Sequence, residues 1–301
     1  LISGALNEEQ HVGIALGMDN LIYDAEQADY TLLQLNPYYT LENDNIRLRV
    51  GAHVDWQSAN GSGIKAAPDV KLDYTFADTY VAYLHATGGT RLNDFSQQNE
   101  ESPYWGVINQ MRTSYTPADL QVGFKASPLP GLGFHLFGGY RVTKDEIFHL
   151  PGITDTDFPY CYSLLMQEKA KVGYGGIKAA YGYKDIFDFS VGGTYYGWNV
   201  KDEAKVLLYL KPEFVLDASA RAKVYDEFWI SVAYRYEGRV KAGELEKADA
   251  INNLSLSAGY EFFNSLNVFV RFNNLLNQDY ITEAGYPVQG FNAMAGVSFR
   301  F

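Results

Sequence analysis

Residues 46–56 read Ile46-Arg47-Leu48-Arg49-Val50-Gly51-Ala52-His53-Val54-Asp55-Trp56. Even positions are apolar, and odd positions, one glycine aside, carry charge or an imidazole. Successive side chains of an extended chain point to opposite faces, so this stretch is a strand with one greasy face and one charged face. Two further runs repeat the pattern. Phe214, Leu216, Ala218, Ala220, Ala222 and Val224 alternate with Asp217, Ser219, Arg221 and Lys223. Leu254, Leu256, Ala258, Tyr260 and Phe262 alternate with Ser255, Ser257, Gly259 and Glu261. Each run is about ten residues long, enough for a tilted strand to cross about 25 Å of hydrocarbon, whereas strands of soluble sheets usually run about 5 to 6 residues.

A soluble sandwich also alternates, with its apolar face turned inward. The ends of the apolar rows separate the two cases. Many finish in a ring, as at Trp56, Phe76, Tyr140, Tyr195, Trp198, Tyr236 and Phe262. Amphipathic rings at both ends of an apolar band suit the two interfaces of a bilayer. With 24 Tyr, 18 Phe and 28 Gly in 301 residues, strand and turn formers dominate the whole chain. No run of about 18 apolar residues is present, which excludes a helical span but not a barrel, whose strands show only alternate side chains to lipid. The expected fold is therefore all-β, an antiparallel transmembrane β-barrel of about fourteen strands forming one domain over residues 1–301.

The expected strands lie at 11–23, 30–40, 45–56, 67–76, 79–87, 118–127, 131–143, 170–182, 186–198, 211–224, 226–237, 250–262, 265–277 and 290–301. Connections at 42–44, 77–78, 127–130, 183–185, 225–226 and 263–264 are short. Those at 57–66, 88–117, 144–169, 199–210, 238–249 and 278–289 are long. Short and long alternate, as in barrels with tight periplasmic turns and longer outer loops. A last strand ending in the periplasm then puts every long connection outside and the N-terminus in the periplasm.

The chain closes on Gly296-Val297-Ser298-Phe299-Arg300-Phe301. Phe291, Ala293, Ala295, Val297, Phe299 and Phe301 share one face of this segment. Gly296, Phe299 and Phe301 look like the terminal signal by which outer-membrane barrels engage the barrel-assembly machinery. Upstream, Asn274-Leu275-Leu276-Asn277-Gln278-Asp279-Tyr280 and Tyr286-Pro287-Val288-Gln289-Gly290 resemble the last hairpin of TonB-dependent receptors. Leu92-Asn93-Asp94-Phe95 to Pro103-Tyr104 is similar to a loop of their Bacteroidetes-type members. The resemblance implies an outer-membrane barrel with a transport or receptor role. It also implies 22 strands, an N-terminal plug and a segment contacting TonB, whereas this chain has room for about fourteen strands and is expected to carry no plug. A purely structural reading of the motif has Asn274 and Asn277 bonding locally at a strand end and Tyr280 at the interface.

Charged and polar residues of the second face are expected to line the lumen: Arg47, Arg49, His53, Asp55, Lys71, Asp73, Lys125, His135, Arg141, Asp217, Arg221, Lys223, Arg235, Glu261 and Arg271. They either pair into a network that stiffens the wall or stay hydrated as a filter, and a plug would use the same charges. In the long connections, Phe95, Tyr104, Trp105, Phe148, Phe158 and Tyr160 are candidates for contacting a ligand or partner, or for packing the loops over the mouth.

The remaining features narrow the function. A net charge of −12 argues against a nucleic-acid partner. His11, His53, His85, His135 and His149 are scattered, with no nucleophile-base motif, so no enzymatic activity is expected. Cys161, expected in a loop, is the single cysteine and has no zinc-ligand spacing around it. Asp155 and Asp157 lack the coordinating loop of a calcium site, and no metal or cofactor is expected. Leu1 is not followed by a secretion signal, so a mature chain or a fragment is expected. The expected partners are outer-membrane lipid, the assembly machinery, and a plug, periplasmic domain or other outer-membrane subunit. Three roles remain open: a receptor or transporter barrel, an accessory subunit of an outer-membrane complex, and a passive diffusion channel.

Overall fold

Strict alternation produces one long ladder. The computed structural model describes residues 1–23, 29–59, 61, 63–104, 111–153, 161–262, 265–283 and 285–299. Fifteen strands form a single antiparallel sheet in which nearly every strand pairs with its neighbours in sequence. They are β1 (Ile2–Ala5), β2 (Gln10–Leu21), β3 (Tyr30–Glu42), β4 (Ile46–Gln57), β5 (Gly63–Phe76), β6 (Tyr80–Arg91), β7 (Ser114–Leu129) and β8 (Leu132–Ile153). They continue with β9 (Cys161–Tyr183), β10 (Phe187–Asn199), β11 (Pro212–Lys223), β12 (Phe228–Arg239), β13 (Ile251–Phe262), β14 (Leu266–Asn273) and β17 (Asn292–Phe299). A two-stranded hairpin, β15 (Ile281–Glu283) with β16 (Tyr286–Pro287), sits in the connection before β17. Among the described residues β1 and β17 are the two flanks of the sheet.

Each of the fourteen expected strands is present, and the count rises to fifteen because β1 adds itself to β2, with Ile2 opposite Ile14 and Ala5 opposite His11. Connection 144–169 departs most from expectation. It is largely a continuation of the β8–β9 hairpin, with Glu146 opposite Glu168 and Ile153 opposite Cys161, so Cys161 opens a strand. Between Thr143–Ala170 and Glu146–Glu168, β8 advances three residues while β9 advances two. That bulge, with Asp145 at a φ of 56°, shifts the period and hides the extension from an alternation count. The connection after β6 holds a helix α1 (Phe95–Glu101), capped by Asp94, whose side chain accepts a hydrogen bond from the Gln97 amide at 2.8 Å. The connection after β10 holds a 3-10 helix, Asp202–Leu208.

The register puts apolar residues in rows across the wall. Leu41 lies opposite Leu48, Leu48 opposite Leu72, Leu72 opposite Leu84, and Leu84 opposite Val122. Among the described residues this face stands open: Leu16 is 65% exposed, Leu136 57%, Ile177 57% and Val297 66%. Apolar rows of that length are what a barrel wall turns outward, and no helix of the described residues is long and apolar enough to cross a membrane. At the short-turn end Phe76, Tyr80 and Phe124 stack with centroids 5.7 to 6.1 Å apart on this face. Trp56, Tyr140, Tyr195 and Phe214 mark its other end, all partly exposed. Trp198 does not join them: it lies opposite Val172 on the polar face and donates to the Pro212 carbonyl at 2.8 Å.

Candidate functional site

The expected lumen residues share the face opposite the apolar rows, and the ladder brings many of them into contact. Arg49 bonds Asp69 at 2.5 Å and lies over the Tyr38 ring at 3.9 Å. Arg47 pairs with Glu42 at 2.8 Å near the short turns, where both are well exposed. His53 meets the Asn36 amide oxygen at 2.9 Å, and His85 meets Asp73 at 3.1 Å. Asp55 is 2% exposed and accepts from the Thr90 amide. Asp217 and Arg235 pair at 3.1 Å, and Arg235 reaches on to Glu237, itself bonded to Arg239 at 2.6 Å. Arg141 lies opposite Asp119, which accepts from the Tyr174 hydroxyl at 3.0 Å. Lys71 lies opposite Arg49 and His85, and Glu261 opposite Asn267. Arg271 lies opposite Ser257 and Met294.

Aromatic rings and glycines carry the rest of this face. Lys125 lies over Tyr83, whose hydroxyl meets His135 at 2.8 Å, and Arg221 lies over Trp229 at 4.3 Å. Lys223 lies opposite Trp229. These rings lie flat because the residue opposite is glycine. A Cβ on Gly123 would stand 2.4 Å from the Tyr83 ring, one on Gly259 2.5 Å from Trp229, and one on Gly296 2.5 Å from Phe269. Gly296 therefore has a packing role on the polar face, while Phe299 lies on the apolar face, 62% exposed and opposite Leu266. Phe301 lies outside the described residues.

Beyond the wall, the long connections fold into a cap. Phe148 is fully buried among Ala170, Ala204, Leu207, Leu208 and Ala242, with Trp198 and Val240 packed against them. Phe148 is thus a core residue, not an exposed contact point. Lys211 lies over both Phe148 and Trp198, donates to the Ile147 carbonyl at 3.2 Å and has Glu146 at 3.7 Å. Burial pushes its ammonium below the usual lysine range, against the pull of Glu146 and Glu101. His149 and then Arg91, beside Glu101, hold that carboxyl below the usual range. Tyr104 stacks on Tyr286 at 3.8 Å, and Phe95 meets Tyr23 edge-on at 5.1 Å. Trp105, Phe158 and Tyr160 lie outside the described residues, as do Asp155 and Asp157.

The closing-hairpin motif is structural in its details. Asn274 and Asn277 both adopt left-handed backbone, φ 48° and 47°, which Asn tolerates better than most residues. The Asn274 side chain donates to Gln278 O at 2.9 Å and Gln289 O at 3.3 Å and accepts from Gln278 N at 3.0 Å. Asn277 accepts from the Phe291 amide at 2.9 Å, aligning the start of β17. Tyr280, expected at the interface, is 7% exposed, and its hydroxyl accepts from Asn253 at 3.1 Å. The cap residues Glu101, Glu146, Lys211 and Arg239 were not singled out by sequence, since each follows from contacts between connections far apart in the chain.

No family model and no curated protein match the sequence. Solved structures match its fold. The copper transporter OprC superposes with a TM-score of 0.68 at 13% identity, covering 97% of this chain and 54% of its own. The siderophore receptor PirA from Acinetobacter baumannii gives 0.68 at 12%, covering 97% and 52%. The pyoverdine outer membrane receptor FpvA from Pseudomonas aeruginosa PAO1 gives 0.67 at 17%, covering 99% and 52%. The chain thus spans about half the length of the structures it matches. Its fold is that of outer-membrane receptor and transporter barrels, the architecture implied by the resemblance of its closing hairpin to TonB-dependent receptors.

Proposed function

We propose that this chain is barrel wall of an outer-membrane receptor or transporter of the TonB-dependent kind, with the long connections outside the cell and both chain ends on the periplasmic side. The observation that carries the reading is the fold match along nearly the whole chain to solved transporters and receptors. The cap supports it further, because long connections that share a buried core present a shaped outer surface. On this reading lipid covers the apolar face, and the polar face lines the lumen and receives a plug or periplasmic domain. The closing strand, with Gly296, Phe299 and Phe301, is what the assembly machinery engages.

Orientation is tested by impermeant maleimide labelling in a Cys161→Ser background. Glu244→Cys, on a long connection, should label in intact cells, and Asp226→Cys, on a short turn, only after lysis. The reverse pattern would overturn the orientation. A steady planar-bilayer conductance from the native protein would make it a passive diffusion channel. Stoichiometric co-purification with other outer-membrane proteins, without an uptake defect on deletion, would make it an accessory subunit.

A further inference from the structure

Four connections converge on one small cavity in the cap. Glu101 reaches it from the end of α1 and His149 from the extended β8–β9 hairpin. Leu210 and Lys211 come from the segment after the 3-10 helix, and Thr282 and Glu283 from β15. Its volume is about 180 Å³. At about 30 Å³ per water it has room for about six waters, or for a solute of similar heavy-atom count.

Groups of both signs line the wall. The Lys211 ammonium, which burial holds below the usual lysine range, donates to one carbonyl at 3.2 Å and has Glu146 at 3.7 Å. The lining acids are Glu101 and Glu283. Glu101 bonds Arg91 at 3.0 Å through one oxygen, and its second oxygen is 3.7 Å from the His149 imidazole. The remaining His149 nitrogen meets the Ser163 hydroxyl at 3.2 Å. Glu283 Oε2 is buried and has no hydrogen-bond partner among the described residues. A buried carboxylate oxygen without a donor is costly, and a bound donor relieves it.

We propose that this cavity binds a small zwitterion, an amino acid with a short side chain, with its ammonium on Glu283 and Glu101 and its carboxylate on Lys211. The two alternatives of similar size fit less well. A simple anion would face the Glu101 and Glu283 carboxylates, and a simple cation would bring a second positive charge beside Lys211. The proposal rests on the outward-facing cap of the receptor reading and names a solute class for it.

The test uses the full-length natural protein, purified in detergent at neutral pH and titrated calorimetrically with L-alanine, propylammonium and propionate. L-alanine should bind saturably, and each half-molecule at least tenfold more weakly. Glu283→Gln and Lys211→Met should each weaken L-alanine at least tenfold, and Lys211→Met should narrow the gap to propylammonium. Heat-dependent gel mobility confirms that each variant is folded. If Lys211→Met is not, Glu283→Gln alone decides. Absence of saturable L-alanine binding, or binding unchanged in the folded variants, overturns the site. Because binding is read on purified protein, such a result leaves the orientation and uptake tests of the receptor reading standing.

Discussion

Replacing Asn274 with alanine tests whether the motif before β17 is a structural tie. Asn274 is 2% exposed, and its side chain makes three hydrogen bonds within the last long connection. At about 1 kcal/mol for each neutral bond, their loss comes to about 3 kcal/mol. Alanine must also hold a φ of 48°, and left-handed backbone costs a residue with a Cβ about 1–2 kcal/mol. Alanine should therefore ease opening of the connection by about 4–5 kcal/mol, a thousandfold or more in its opening equilibrium at about 1.4 kcal/mol per tenfold. Asn274→Gly separates the two effects, because it accepts the backbone angle and loses only the bonds. Hydrogen exchange over residues 275–291 in detergent reads the opening directly. The order of protection should be wild type, then Gly, then Ala, with the strands of the wall unchanged. Equal protection in all three proteins would refute the reasoning and leave the motif to be explained by something it contacts outside this chain.

Gly123→Val should destabilise the wall by about 1–3 kcal/mol, as overpacking does, because its Cβ would fall 2.4 Å from a Tyr83 ring held by His135. Gly133→Val, with nothing within 4 Å, is the matched control, and the two are compared by urea midpoints of folding into detergent. Phe148→Ala should cost about 3–5 kcal/mol locally and strip exchange protection from Asp202–Leu208 while sparing the strands. Glu101, with its carboxyl held below the usual range, stabilises the cap at neutral pH. That contribution begins to fade as pH falls below the unfolded value of about 4.3 and is gone below the folded value. Proteolysis of the cap should accelerate over that acid window in the wild type and less so in Glu101→Gln.

The wall was legible because one apolar face and one polar face impose period two, strand after strand, and Ile46 to Trp56 displays it without interruption. Gly296 was singled out at the terminus, but the reason for it, the Phe269 ring laid across it, requires the register of the neighbouring strand. β1 was missed because four residues, Ile2 to Ala5, are too few to show a period. The β8–β9 extension was missed because the bulge at Asp145 breaks the period and Pro151 argues against a strand. Phe148 reads as an exposed residue of a long connection until the 3-10 helix, remote in sequence, covers it. Likewise Gln57 and Thr113, 56 residues apart, bond in the cap, a contact that no local pattern announces.

The central claim, a wall with one lipid face and one polar face, is tested most directly by spin labels placed singly at residues 230 to 235 of β12 and 254 to 258 of β13, in a Cys161→Ser background reconstituted in bilayers. Accessibility to oxygen should peak at 230, 232, 234, 254, 256 and 258, and accessibility to an aqueous nickel chelate should be higher at 231, 233, 235, 255 and 257, following the two faces set by the register. Absence of alternation, or alternation of the opposite phase, would contradict the account.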